Sequence, residues 1–327
     1  MRSSPPAAPK STARSHTKQS PEYGSGVQTL ELSEFELADA QQLRHKLLSI
    51  FRSPDYKPPV LPNIALELTE LSRKAHVSYD DVTRVVEKDP MIVASVLKLA
   101  QSPLYGGRTP VQSLKDALNR LGINMLRDLV WQVVVGMRLF RVRNYTATME
   151  RLQLHATFTA HAARIVAARA GIAAEHAFLC GLLHDIGWCG TLIAISEGVK
   201  KPPEPETLFA AIDKMHMEAG AAMAKLWGLS PEIVSVVGHH HDFSKDKPAV
   251  SALVPVLCVA ERLGDEMAFA VEEAEEDGSL RKDRIDANLD GRFEHALQLL
   301  RLESKLDGIR NMVGEAAERI RSGAQSG

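Results

Sequence analysis

The sequence is poor in cysteine, in net charge and in long apolar runs. The three cysteines, Cys180, Cys189 and Cys258, form no Cys-x-x-Cys pair, which argues against a disulfide framework and a structural zinc knuckle. Lys plus Arg number 39 against 41 for Asp plus Glu, so no overall positive field favours nucleic acid or an anionic membrane. The longest stretches without charge or histidine, 186–196 and 249–260, are much shorter than the about 20 residues that span a bilayer. We therefore expect a cytoplasmic protein with no transmembrane helix and no secretory signal.

What the sequence does contain is helical periodicity. Residues 1–30 are rich in Ser, Pro, Ala, Gly, Lys and Arg, and we expect a disordered tail there. From residue 33 onward apolar residues recur at helical spacing, and no run alternates convincingly with period two. The chain is therefore predicted to be all-α.

Capping residues support this prediction. Ser33 with Glu36 and Ser113 with Asp116 are spaced as an N-cap and an acid in the first turn. Prolines suit first helical positions and glycines suit helix ends; these are Pro62, Pro90, Pro231, Gly122 and Gly171.

The polar stretch at residues 141–145 interrupts two helical patterns and divides the chain. The predicted parts are an N-terminal helix at 31–54, an N-terminal helical lobe at 55–143, a histidine-bearing lobe at 144–275, and C-terminal helices with a short tail at 276–327. The acidic run at 272–277 is expected to be a solvated helix end or loop. Leucines in the C-terminal helices could pack on the lobe or pair with a second copy.

The chemistry is concentrated in the histidines of the 144–275 lobe. His184 precedes Asp185, and an adjacent imidazole and carboxylate can enter one metal site, which suits Mn, Fe, Ni or Zn better than Ca. The residues around the pair are apolar, so these polar groups would be buried and would need partners. His155, His216 and the run 239–241 lie in the same lobe and can converge in its interior.

Two plainer interpretations stay open. A single histidine on an apolar helix face, such as His155, is more often a core residue hydrogen-bonded to a carbonyl. The triple histidine at 239–241 sits where a helix ends, so a capping role is an alternative. At most two of these three consecutive residues can face one site.

Both lobes carry an ordered series of short motifs. In the first lobe they are LP at 61–62, VVEKDP at 85–90, LKLAQS at 97–102, YG at 105–106 and ALNRLG at 117–122. In the second they are GLLHDIG at 181–187, His216 with Gly220, WGLSP at 227–231 and His240-His241. With these motifs the second lobe is similar to the HD superfamily of metal-dependent phosphohydrolases, and the whole arrangement resembles the HDOD (HD-related output domain) proteins of bacterial signalling.

The resemblance implies a two-lobed helical fold and a set of metal ligands. They are His155, His184, Asp185, His216, His240, His241 and Glu261, which occupies the place of the family's last aspartate. Asp185 would bridge one or two divalent ions of Fe, Mn, Ni or Zn, and it is the catalytic candidate if the site is active.

Departures from the catalytic pattern favour a regulatory function. Trp188 stands where the HD-GYP phosphodiesterases, similar members of the superfamily, carry a lysine; Arg151 replaces an acid, Gln101 replaces an asparagine, and the Gly-Tyr-Pro loop is absent. We therefore expect a signalling output module that binds a signalling protein, a nucleotide, or both, with a homodimer through the C-terminal helices as a further expectation.

The alternative is a metal-dependent phosphohydrolase acting on a nucleotide or cyclic dinucleotide. Direct nucleic-acid binding ranks last, because its only support is the basic tail with Arg2, Lys10, Arg14 and Lys18.

Overall fold

The computed structural model describes residues 39–61, 63–72, 74, 76–106, 110–140, 142–172, 176–198, 203–269 and 287–325. All regular secondary structure within these ranges is helical, so the all-α prediction is confirmed. The predicted tail, the Ser33–Glu36 cap, Pro62 and the acidic run at 272–277 lie outside the described residues.

Within the residues that the structure describes, the first part of the chain forms five helices. They are α1 (Ala40–Phe51), α2 (Asn63–Ser72), α3 (Tyr79–Val86), α4 (Pro90–Ala100) and α5 (Leu114–Arg138). A short 3-10 turn, Pro103–Tyr105, lies between α4 and α5. Helix α3 packs on α2 and α5, whereas α1 packs on α9 and α10 of the following part, where Arg52 forms an ion pair with Glu218 at 2.5 Å.

The histidine-bearing part forms the next seven helices. They are α6 (Thr146–Ala170), α7 (Ala177–Leu183), α8 (Ile186–Gly198), α9 (Pro205–Asp213), α10 (His216–Leu226), α11 (Pro231–His239) and α12 (Leu253–Glu266). Helix α6 packs on both α7 and α12, and α10 packs on α8 and α11. A 3-10 turn, Arg143–Tyr145, precedes α6 where the sequence predicted a break; the division into domains there stays a prediction.

The last two helices are α13 (Ala287–Leu300) and α14 (Leu306–Gln325). Helix α13 packs on α12, and α14 packs on α6 and on the Pro103–Tyr105 turn. Leu297 and Leu300 of α13 and Leu302 after it are buried within this chain, whereas Leu299 is exposed. Pairing of two copies through these helices stays a prediction.

The predicted caps explain where several helices begin and end. The side chains of Asp89, Ser113 and Ser230 each accept a backbone N–H from the first turn of α4, α5 and α11. Gly171 ends α6 with a φ of 70°. Gly122, with a φ of 74°, ends the first of the two helical segments that make up α5, and the chain kinks there.

One apolar segment, Ala177–Ser196, is by length and hydropathy sufficient to cross a membrane. Within the fold, 83% of it is buried, and it comprises α7, most of α8 and the turn that carries His184 and Asp185. Its apolar character is thus accounted for by its place in the core.

Two glycines allow these helices to approach closely. A Cβ at Gly181 of α7 would lie 2.7 Å from both the Cα of Ala160 and the carbonyl oxygen of Thr159 in α6. A Cβ at Gly187 of α8 would overlap the backbone carbonyl of His216. The glycines therefore bring the His184-Asp185 turn against α6 and α10, where other histidines lie.

We expect Gly181→Ala to destabilise the protein by about 1–3 kcal/mol, because backbone atoms of α6 must move to admit the methyl group. Gly314→Ala in α14 is the matched control, since its Cβ would meet only Met267 Cε at 3.8 Å. There the loss of glycine flexibility should raise stability by about 0.5–1 kcal/mol. Urea unfolding followed by circular dichroism measures both, and equal stability of wild type and Gly181→Ala would contradict the packing described.

Candidate metal centre

The structure brings all seven predicted ligands together around the Asp185 carboxylate. They come from separate elements: the middle of α6, the α7–α8 turn, the first residue of α10, the end of α11 and the middle of α12. In chain order they are His155, His184, Asp185, His216, His240, His241 and Glu261.

Four of the imidazoles are held by backbone carbonyls. The Nδ1 atoms of His155, His184, His216 and His240 lie 2.9, 2.8, 2.9 and 2.9 Å from the carbonyl oxygens of Phe269, Gly181, Asp213 and Val237. A carbonyl oxygen can only accept, so each Nδ1 carries the proton and donates it. In the neutral form each Nε2 therefore presents a lone pair.

These four Nε2 atoms face one another and Asp185. His155 and His184 are 3.0 Å apart through their Nε2 atoms, and His216 and His240 are 3.3 Å apart. Asp185 Oδ2 lies 3.5 and 3.4 Å from the first pair, and Oδ1 lies 3.5 Å from each histidine of the second pair.

Such a cluster contains more acceptors than donors. Facing lone pairs on neutral imidazoles repel, and Asp185 Oδ1 is buried without a hydrogen-bond partner. The arrangement is favourable only with protons or cations among the ligand atoms. The residues thus fit a divalent metal centre in donor chemistry as well as in position.

The ligand atoms divide into two groups. Those of His155, His184 and Glu261 lie within 4.8 Å of one another, and so do those of Asp185, His216, His240 and His241. Asp185 contacts histidines of both groups through its two oxygens. This is the geometry expected of a carboxylate placed between two ions.

The end of α11 determines which of the three consecutive histidines, 239–241, face the cluster. His240 is fully buried, and His241 turns toward Glu261 with Nδ1 3.8 Å from Oε2. His239 is exposed, and its Nδ1 donates to the carbonyl oxygen of Ser235 one turn earlier. His240 and His241 are therefore the two residues that face the cluster.

The pKa values show how the cluster takes up protons when no ion is bound. Burial lowers the pKa of His155 and of His240, each to about 4. Burial acts the same way on His184, but the attraction of Asp185 and Glu261 outweighs it and raises the pKa of His184 to about 9. Burial also raises the pKa of Glu261 to about 8.

Trp188 lies beside the cluster. Its ring is buried, 5.7 Å from that of Phe209 and 6.1 Å from that of His216. Because it forms an apolar wall here, this position supplies no cation to the site.

The sequence did not single out a second buried polar cluster. His161, six residues after His155 on α6, lies 3.3 Å from the Tyr105 hydroxyl and 3.0 Å from Arg164, which is 3.5 Å from Asp128. The sequence carried little signal for it, because a spacing of six residues places His161 on a different face of α6 from His155. Arg292 of α13, which donates to the backbone of His241, was also missed.

Comparison with known proteins assigns this fold. The family model of the HDOD domain matches residues 59–243, more than half of the chain. An uncharacterized protein of Treponema pallidum (strain Nichols) is 28% identical over 212 residues, which are 60% of this chain and 40% of that protein. Ribonuclease Y of Thermus thermophilus is 31% identical over 100 residues, or 31% of this chain and 14% of that enzyme. The chain thus spans less than half the length of these relatives.

Solved structures agree with the family in fold. An HDOD domain protein of unknown function from Geobacter sulfurreducens has a TM-score of 0.59 at 24% identity, covering 84% of this chain and 99% of that one. A Shewanella amazonensis SB2B protein, provisionally named a metal-dependent phosphohydrolase, has a TM-score of 0.62 at 20% identity, covering 87% and 98%. With the matched residues including both motif series and most of the histidine cluster, the chain belongs to the HDOD domain family.

Proposed function

We propose that this protein is a regulatory module of bacterial signalling whose histidine cluster binds two divalent transition-metal ions. His155, His184 and Glu261 would hold one ion and His216, His240 and His241 the other, with the Asp185 carboxylate shared between the two groups. The observation that carries the proposal is the convergence of four Nε2 lone pairs on one buried carboxylate, each fixed by a carbonyl behind it.

The types of ligand atom in the cluster restrict which metals fit it. Imidazole nitrogen with carboxylate oxygen suits Mn, Fe, Ni or Zn. Ions bound here would supply Lewis acidity toward a phosphoryl oxygen and toward water. The chain's own part is to orient the imidazoles through their Nδ1 bonds and to exclude bulk water with the apolar residues of α7 and α8.

Trp188 supports a binding function over rapid catalysis. A cation near the reacting phosphoryl group stabilises charge that develops in the transition state, and an indole cannot replace it. A module that holds a metal-bound phosphoester without turning it over quickly is suited to report the presence of that ligand to a partner protein.

Elemental analysis of protein purified without a metal-binding tag tests the metal centre. We expect close to stoichiometric Mn, Fe, Ni or Zn in the wild type and almost none in a variant combining His184→Ala and Asp185→Ala. Removing these two residues takes one imidazole from the first group and the negatively charged carboxylate that contacts both groups, which weakens the binding of each ion.

His239→Ala is the matched control, because His239 adjoins His240 in sequence but points to solvent. This variant should retain the wild-type metal content. Equal metal loss in His239→Ala and in the double variant, or absence of metal in wild type after incubation with Mn or Fe, would overturn the proposal. Circular dichroism of each variant separates loss of ligands from loss of fold.

Protons and metal ions compete for the same ligand atoms of the cluster. The stability of the metal-free protein should therefore depend on pH. His184 and Glu261 both have folded-state pKa values above their ordinary ones, so at neutral pH these two groups bind more protons in the folded metal-free protein than in the unfolded chain. His155 and His240 act in the opposite sense, but their lowered pKa values affect stability mainly below neutral pH. Stability is then lost as the pH rises, through about 8 for Glu261 and about 9 for His184.

We therefore expect chelator-treated protein to unfold more readily at pH 9 than at pH 6.5. The difference should reach at least about 1.4 kcal/mol, the equivalent of one pKa unit. Glu261→Gln removes one titrating group and should reduce the difference, as should saturation with metal. Urea unfolding at the two pH values measures it, and a metal-free protein that is equally stable at both would contradict the protonation described.

A metal-dependent phosphohydrolase is the second candidate, favoured by the complete ligand set including Glu261. We expect metal-loaded protein to cleave at least one of cyclic dinucleotides, nucleoside phosphates or aryl phosphodiesters if this function holds, with cleavage lost in the His184, Asp185 double variant. The ribonuclease Y relative adds RNA to the substrates worth including. Chromatography of the products decides, and no cleavage of any substrate would remove this candidate.

A further inference from the structure

Helix α13 lies outside the matched 59–243 region and brings a guanidinium to the cluster. Arg292 Nη1 donates to the backbone carbonyl of His241 at 2.8 Å. Burial is the main cause of the raised pKa of Glu261, and the positive charge of Arg292 is among the groups that oppose it. The guanidinium thus stands close to two of the candidate ligands.

The position of Arg292 is fixed by contacts of the residues that follow it on α13. Phe293 is buried, and the guanidinium of Arg262 from α12 lies 6.0 Å above its ring. His295 stacks on Phe243 with ring centroids 6.2 Å apart and planes at 25°. These contacts join α13 both to α12, which carries Glu261, and to the segment after His241.

Some hydrogen-bond donors of the Arg292 guanidinium have no acceptor. Its Nε is buried and has no hydrogen-bond partner, while Nη1 holds the carbonyl of His241. An arginine has five N–H donors in a planar fork, and a buried N–H without an acceptor is unfavourable. A ligand with several acceptor oxygens at this place would satisfy it.

Arg292 also stands at the accessible edge of the cluster. The side chain of His241 is 34% exposed, compared with 16% for Glu261 and 0% for His184 and His240. A ligand that approaches the cluster along His241 therefore passes the backbone carbonyl that Arg292 holds.

We propose that Arg292 binds the phosphoryl oxygens of a phosphoester held at the metal centre. The planar fork of a guanidinium matches two oxygens of one phosphate, and it restores a cation to a site where Trp188 provides none. The inference rests on the proposed function, since the phosphoester is placed by the ions that the histidines hold. It makes α13, a segment beyond the family match, part of the ligand site.

Titration of Mn²⁺-loaded protein with inorganic phosphate, followed by calorimetry after free ions are removed, tests the proposal. We expect Arg292→Gln to weaken phosphate binding about tenfold or more, because a charge-assisted hydrogen-bonding partner is lost. The phosphate affinity of Arg292→Lys should lie between those of the wild type and Arg292→Gln, since lysine keeps the charge but not the planar fork of donors. Both variants should keep the wild-type manganese content.

Arg319→Gln is the matched control, with the same charge change at an exposed ion pair on α14. It should leave phosphate affinity unchanged. Wild-type affinity in Arg292→Gln with full manganese content would overturn the proposal and leave the metal centre standing, as would loaded wild type that binds no phosphate. Failure of wild type to retain manganese, or iron, nickel or zinc offered in its place, would instead overturn the proposed function, and this inference with it.

Discussion

A negatively charged carboxylate in an apolar interior is the constraint around which the histidine-bearing helices are arranged. Asp185 lies in a turn between two helices made almost wholly of apolar residues, where an isolated charge is very unfavourable. Imidazoles surround it, but their protons are committed to carbonyls behind them. The compensation must come from cations or added protons, and for this reason the cluster is best understood as a binding site rather than as a set of core histidines.

Part of this centre could be predicted from sequence. The GLLHDIG motif and the apolar residues around it indicated a buried polar pair, and His155 was expected on an apolar helix face, where the structure buries it. From the residues alone the choice among 239–241 stayed open, because it depends on where α11 ends and how His240 turns into the core. The family resemblance pointed to His240 and His241, and these two residues face the cluster. Gly187 was recognised as part of a motif, but its close approach to His216 depends on how α8 crosses α10, which no local pattern encodes.

The C-terminal helices show the same limit. Their leucine pattern left packing on the chain and pairing with a copy equally open, and the structure places these leucines against α6 and α12. Nothing in the spacing of residues 289–306 indicated that Arg292 would reach the carbonyl of His241. Contacts between segments far apart in sequence are set by the tertiary packing of whole helices. Sequence motifs therefore indicate the candidate ligands well, but they do not indicate which residues surround those ligands.

The ligands are spread along the chain from His155 to Glu261, and this has a consequence for folding. No short segment holds enough of them to capture an ion, so the centre forms only after α6, α7, α10, α11 and α12 have docked. Contacts between residues so far apart in sequence stabilise the chain late in folding, because the intervening segments must first lose conformational entropy. An ion held there binds the native chain and not the unfolded one, and by mass action it raises the native population. The supply of transition metal in the cell would then govern how long the protein survives proteolysis, apart from any ligand that it senses.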